Sequence, residues 1–353
     1  MSREPVLKVD GLTKLFPLKK GIFEFNKPDL FVHATEDVNF EIYQGEVLGF
    51  VGESGCGKTT VGRLITRLET PTKGAIYFMG EDIAGLRKKE LTKFRRKMQM
   101  IFQDPYESLN PRFTVSQAVG DPLVVHEGEL SDAEREARVI KALEDAGLKP
   151  ADDIKDRYPH ELSGGQRQRV AIARALVVDP KFIVADEPVS MLDVSIRAGV
   201  MNLMLDLRNK YGIPYLFITH DVAVARYMSD RIAVMYLGNI VEIAETDELI
   251  FKPSHPYTKA LLSAVAVPDP DYQHEEVPIK GDIPSPINLP KGCRFRMRCP
   301  YAQDICSNPD LKLAEVSKGH FVLCWFAEKF YDDVKGTTLP APDPGLATER
   351  QSP

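Results

Sequence analysis

Eight consecutive residues, Gly52-Glu53-Ser54-Gly55-Cys56-Gly57-Lys58-Thr59, follow the spacing G-x-x-x-x-G-K-T, with Thr60 next. Three glycines let the backbone curl tightly, so that successive N–H groups and the first turn of a helix point at one spot and can cradle an anion. Lys58 is placed to reach terminal phosphates, and the Thr59 hydroxyl to help hold Mg²⁺. A second set of groups suits hydrolysis of a bound triphosphate. Asp186 and Glu187 stand side by side after an apolar run. The first would organise the Mg²⁺ shell, and the second would orient or deprotonate a water attacking the γ-phosphorus. Gln103 offers an amide that can reach a metal or that water without changing charge. His220 follows another apolar run, and Leu162-Ser163-Gly164-Gly165-Gln166 puts a serine and two glycines where a helix begins, a second backbone site suited to an anion.

Each of these groups needs an element to aim it. Residues 46–51, 98–102, 182–187 and 214–219 read as buried strands, and each delivers a chemical group at its carboxyl end. Ligand-facing groups in parallel α/β sheets collect at that end. Residues 7–43 alternate apolar and polar around turn formers and predict a small antiparallel sheet before the loop. Of its aromatics, Phe16, Phe23, Phe25 and Phe31 are candidates to stack on a base, with Phe16 favoured. Residues of about 104–178 predict a helical subdomain. Ser131 and Glu134 form a capping-box pair there, and a later helix starts at Ser163 and stops at Asp179-Pro180. Residues 195–210 predict a helix whose stripe of Ile196, Val200, Leu203 and Leu207 is core. Residues 231–244 read as a hairpin, and Pro256 opens the last helix of this unit.

The bulk composition fits that picture. A chain of 353 residues, 43% hydrophobic, can bury a large unit plus a smaller one. A net charge of −6 argues against bulk attraction to nucleic acid. The basic run Arg87-Lys88-Lys89, Lys93, Arg95, Arg96 and Lys97 reads as a solvated helix face, because Leu91 and Phe94 fall opposite it. No apolar run reaches bilayer length, and the first residues lack the apolar core of a signal peptide, so a soluble, cytoplasmic chain is expected. Five cysteines suit a reducing compartment better than a disulfide framework.

Taken together in order and spacing, the loop at 52–59, Gln103, Leu162 to Gln166, Phe182 to Glu187, Asp193 and His220 resemble the nucleotide-binding subunit of an ABC transporter over residues of about 5–265. The resemblance implies an α/β fold: a phosphate-loop (RecA-like) ATPase core with an antiparallel β subdomain and a helical subdomain. It also implies that two subunits close head to tail, so that ATP lies between the loop of one and the L-S-G-G-Q helix of the other. Ser163 and Gly165 would then bind the γ-phosphate of the partner's ATP, Asp193 would touch across the interface, His220 would contact the γ-phosphate and Glu187 would be the base. Met191 stands where alanine is commoner in the family, which touches no catalytic role.

Residues 266–335 narrow the resemblance. His255-Pro256-Tyr257-Thr258-Lys259-Ala260-Leu261-Leu262, Asp282-Ile283-Pro284-Ser285-Pro286 and Gly292-Cys293-Arg294-Phe295 with Arg298-Cys299-Pro300 are similar to the ATPases of dipeptide and oligopeptide importers. In those systems two separate permease subunits form the channel and a binding protein delivers the solute, which places such an ATPase at the cytoplasmic face of the membrane. Relatives with this extension also move nickel or oligosaccharides. A soluble ABC ATPase of translation or DNA repair is the alternative, but those carry two loops or long coiled-coil insertions. Cys293, Cys299, Cys306 and Cys324, spaced C-x5-C-x6-C-x17-C, carry donors for a zinc ion or an iron–sulfur cluster. Some importer ATPases hold a 4Fe-4S cluster in this extension, so a cluster is expected, with zinc or plain thiols as alternatives. Being distant in sequence from the hydrolytic groups, the segment is expected to be structural. Cys56 is expected to be a free thiol whose modification inhibits and which ATP protects. Residues 336–353 are expected to be disordered.

Overall fold

The computed structural model describes residues 4–18, 30–264 and 277–332. Its centre is an eight-stranded sheet in which Met98–Ile101, Phe182–Asp186, Tyr215–Ile218, Val47–Val51 and Arg231–Tyr236 lie side by side and parallel. Val47–Val51, Phe182–Asp186 and Tyr215–Ile218 are buried along their whole length, because a second sheet with the helix Lys58–Ile65 covers one face and helices cover the other. This is why their sequences read as unbroken apolar runs rather than alternating ones.

Past the parallel block the sheet turns antiparallel. Arg231–Tyr236 hairpins onto Asn239–Glu245, which pairs with His320–Val322, which pairs with Ala314–Ser317. The last two strands belong to the carboxyl-terminal extension, so this part of the chain is built into the edge of the ATPase sheet.

A second, four-stranded antiparallel sheet has the order Phe31–Ile42, Leu7–Pro17, Lys73–Phe78, Glu81–Asp82. Its inner face shares one core with the helix Lys58–Ile65 and the central strands, through Leu7, Ile42, Phe50, Leu64 and Ile76. The helix Lys88–Lys97 buries Leu91 and Phe94 and leaves its lysines exposed as its periodicity predicts, whereas Arg95 and Arg96 are half-buried and Arg96 pairs with Glu127.

The helical subdomain contains Val115–His126, Asp132–Asp145 and Gly164–Leu176, packed through Val119, Leu143 and Ile172. Ser131 caps its helix as expected: its hydroxyl accepts from the Glu134 N–H at 3.3 Å, and its own N–H donates to the Glu134 carboxylate at 3.0 Å. Val194–Tyr211 buries Val200, Met204 and Leu207. Ile196 departs from its expected place in that core stripe. It lies at the surface, against the start of the Gly164–Leu176 helix. Among the described residues no helix is long and apolar enough to cross a membrane.

Candidate active site

The strand Val47–Val51 ends at the glycine-rich loop, and the helix Lys58–Ile65 begins directly after it. Gly57 has φ of +110°, and a Cβ there would lie 2.3 Å from the Ala34 carbonyl oxygen, so no other residue fits. Lys58 is buried, and its ammonium donates to the carbonyls of Gly52 at 2.7 Å and Glu53 at 3.1 Å. It thus lies folded across the loop interior.

Cys56 is free but buried beneath the loop, 3.6 Å from the Lys58 ammonium. Burial pushes its thiol up, with Lys58 opposing. The thiolate is the reactive form, so the expectation of ready modification gives way. In the native chain a thiol reagent should leave Cys56 unlabelled over a period in which the urea-unfolded chain is fully labelled. Peptide mass mapping reads this, and prompt native labelling at Cys56 would contradict the burial.

The hydrolytic groups meet where three strand ends adjoin. The Thr59 hydroxyl donates to Asp186 Oδ1 at 3.0 Å. Asp186 is buried, and its carboxyl is pushed above the usual range by that burial and by the neighbouring Glu187 charge, with Thr59 pulling the other way. Glu187 has φ of +46°, the left-handed region, which turns its carboxylate out of the strand direction. Its Oε2 accepts from Gln103 Nε2 at 3.0 Å and lies 3.1 Å from His220 Nδ1. An amide, an acid and an imidazole spread over more than a hundred residues therefore converge on one atom. Gln103, Glu187 and His220 are brought together as the motifs imply, and Thr59 and Asp186 form the adjoining pair suited to Mg²⁺.

The L-S-G-G-Q element stands apart from this centre. Ser163 caps its own helix: its hydroxyl accepts from the Gln166 N–H at 3.3 Å, and its N–H donates to Gln166 Oε1 at 3.0 Å. Gly165 packs so tightly on Ile196 that a Cβ would meet Ile196 Cγ2 at 2.5 Å. Glycine is therefore needed there for packing. Asp193 precedes its helix without capping it, exposed between Met191 and Val194, which are exposed too.

Phe16 lies half-buried near the end of its strand, with the Lys14 ammonium 4.6 Å from the ring centre. No recorded contact among the described residues joins it to the loop. Phe23 and Phe25 fall outside the described residues, as does the tail at 336–353.

The sequence reading missed two groups on the loop. The Glu53 N–H donates to the Tyr257 hydroxyl at 2.9 Å, and Arg298 donates to both Glu53 carboxylate oxygens at 2.8 and 3.1 Å. Arg298 lies 245 residues from Glu53, beside Cys299. The cysteine segment, although distant from the loop in sequence, is therefore joined to it in space. Tyr257 and Arg298 stand in the importer-like patterns of the sequence, but neither pattern signals a contact with the loop.

Cys293, Cys299, Cys306 and Cys324 line one small cavity, closed by Phe295 and Phe330, and none is in a disulfide. Burial and the crowding of the other thiols push Cys293 up to about 11 and Cys324 up to about 12. Among the described residues no group of three or more His, Cys, Asp or Glu side chains is arranged to hold a metal ion. Neither the expected cluster nor the zinc alternative therefore finds a preformed metal site among the described residues.

A cavity of about 1120 Å³ lies between the antiparallel sheet and the extension, lined by His33, Phe40, Arg231 and Phe321, away from Glu187 and Asp186.

Comparison with known proteins agrees with this geometry. The family model for the ABC transporter matches residues 35–190, and that for the oligopeptide/dipeptide transporter C-terminal region matches residues 241–306. The chain is 49% identical to a probable peptide ABC transporter ATP-binding protein of Sinorhizobium fredii, over 91% of this chain and 90% of that one. It is 46% identical to an oligopeptide transport ATP-binding protein of Bacillus subtilis, over 92% of this chain and 98% of that one. Among solved structures, an ATP-binding cassette in a dimeric post-hydrolysis state bound to ADP and Pi superposes with a TM-score of 0.60 at 34% identity, covering 68% of this chain and 98% of that one. With the loop, the acid pair and the L-S-G-G-Q helix in the same fold, the chain belongs to the ATP-binding proteins of ABC transporters, in the group that carries the oligopeptide/dipeptide transporter C-terminal region.

Proposed function

We propose that this chain is the ATP-hydrolysing, energy-coupling subunit of an importer of dipeptides or oligopeptides, at the cytoplasmic face of the membrane. The observation that carries the hydrolytic part is the Glu187 carboxylate held between Gln103 and His220, next to the Thr59–Asp186 pair. Glu187 takes the proton of the attacking water, Gln103 and His220 aim that carboxylate, and Lys58 binds the terminal phosphates. Mg²⁺, held by Thr59 and Asp186 with Gln103 in reach, supplies charge neutralisation on the phosphates when bound. The peptide assignment draws on the relatives' names and on the carboxyl-terminal region.

Two arrangements support partners. Ser163, Met191, Asp193 and Val194 form an exposed surface that offers L-S-G-G-Q backbone to a second ATPase chain, of this sequence or a sister sequence, closing head to tail. A groove of about 270 Å³ is lined by Leu68, Phe102 and Val125 together with Arg95, Asp121 and Arg174. It suits a segment of mixed apolar and charged character from one of two permease subunits; a solute-binding protein feeds those subunits. For the four cysteines, which line one small cavity, the proposed occupant is a 4Fe-4S cluster, with zinc as the alternative. It would supply a structural cross-link among Cys293, Cys299, Cys306 and Cys324. After anaerobic purification the protein should be brown and contain iron and sulfide; colourless protein containing zinc would overturn this assignment.

The test of the transport reading is affinity capture of the chain from native membranes, with mass spectrometry of subunits and bound solute. Two permeases, a second ATPase and peptides are the expected yield. Capture of ribosomes or DNA alone would show the soluble class instead, and a bound oligosaccharide or nickel would correct the solute.

A further inference from the structure

The cysteine segment grips the phosphate loop from two sides. At the front, Arg298 is buried and makes a two-pronged ion pair with Glu53, the second residue of the loop. The neighbouring Tyr257 accepts the Glu53 N–H, fixing backbone as well as side chain. At the back, Arg294 donates to the Leu237 carbonyl and pairs with Glu36. The turn it holds is the one whose Gly238 N–H donates to the Cys56 carbonyl at 2.8 Å, while the Glu36 N–H donates to the Gly238 carbonyl at 2.9 Å.

These contacts stand on a shared aromatic cluster. Phe295 of the segment lies 5.2 Å from Tyr236 and 5.4 Å from Tyr257, ring centre to ring centre, and all three are buried. The same apolar cluster contains Val51, the last strand residue before the loop, and Cys293 and Cys299 pack against it. Arg294 and Arg298 are thus presented from a rigid base. A planar guanidinium bound through two donors to a carboxylate fixes direction as well as distance.

We propose that the carboxyl-terminal extension is a clamp that holds the phosphate loop in its nucleotide-binding shape, with Arg298 and Tyr257 as positioning residues acting through Glu53 and Arg294 acting through the Leu237–Gly238 turn. The proposal rests on the loop being the ATP site. The extension touches no reacting group: it acts on how often the empty loop is ready for ATP. A loop ready about a tenth of the time binds about tenfold more weakly, while chemistry after binding is unaffected.

The test is calorimetric titration of the full chain with Mg-ATP, together with steady-state ATP turnover. Arg298→Ala should raise Kd and KM for ATP about tenfold, with kcat within about twofold. Arg298→Lys, which keeps the charge but not the two-pronged bond, should fall between it and the wild type. Glu53→Ala should weaken binding to a similar degree, and the double variant should be no weaker than the worse single one. Emission of Trp325, the chain's one tryptophan, which lines the cysteine cavity, reports whether the extension stays folded. Should Arg298→Ala disturb it, Glu53→Ala carries the test from the ATPase side. Unchanged affinity in both single variants, losses that add in the double variant, or a fall in kcat without a rise in KM would each overturn the clamp. A wild-type chain that binds no Mg-ATP would overturn the assignment of the loop instead.

Discussion

Glu187→Gln lowers ATP turnover by about three orders of magnitude and leaves ATP affinity within about a factor of two. The substitution is nearly isosteric, so the loop, Lys58 and the Thr59–Asp186 pair keep their places. The amide oxygen can still face Gln103 Nε2, which donates to Glu187 Oε2 at 3.0 Å. Basicity is lost, because an amide does not take a proton from water. His220 at 3.1 Å does not replace it, since it sits beside that same oxygen as an orienting group and is itself largely exposed. ATP bound but not cleaved should then hold two chains closed, and gel filtration with Mg-ATP should show a dimer that the wild type does not accumulate. Single-turnover cleavage at the wild-type rate would remove Glu187 from the role of base. In that case Asp186, buried and bonded to Thr59, would be the next residue to substitute.

Lys58→Ala weakens ATP binding by about a hundredfold or more, the scale of losing a charge-assisted contact to the terminal phosphates. Its ammonium is enclosed and bonded to the Gly52 and Glu53 carbonyls, so the lysine also holds the empty loop together. The variant should therefore lose the rise in melting temperature that saturating ATP gives the wild type, since that rise follows from ligand binding to the folded state. Calorimetry and a melting curve with and without Mg-ATP read both effects. Unchanged affinity would count against the loop assignment. The contrast with Arg298→Ala is informative: Lys58 touches the ligand, whereas Arg298 touches only the loop, so its loss should be roughly ten times milder.

Much of the site was legible because its chemistry is local. A phosphate cradle is made of consecutive backbone N–H groups, so Gly52 to Thr59 had to appear as one run with glycines where the chain curls. Strand ends are likewise local, and apolar runs stopping at Gln103, Asp186 and His220 placed three groups on one edge of a parallel sheet. Less visible was which of them touch. That Gln103 and His220 share one oxygen of Glu187 follows from strand order, with Tyr215–Ile218, Phe182–Asp186 and Met98–Ile101 adjacent, which no spacing in the chain reveals. Ile196 misled for a related reason: helical period shows that a side chain has a packed face, not whether the neighbour is the sheet or the start of another helix.

The sequence by itself determined that this chain has a phosphate loop, an acid pair and an L-S-G-G-Q helix, and through them an α/β ATPase with a cysteine-bearing extension. Tertiary structure alone decided that the extension joins the same sheet through His320–Val322 and that its Arg298 holds Glu53. A motif made of neighbours carries its geometry in its spacing. An ion pair between residues 245 positions apart carries none, because any arginine in a turn-rich segment could meet any acid until the fold brings two of them together.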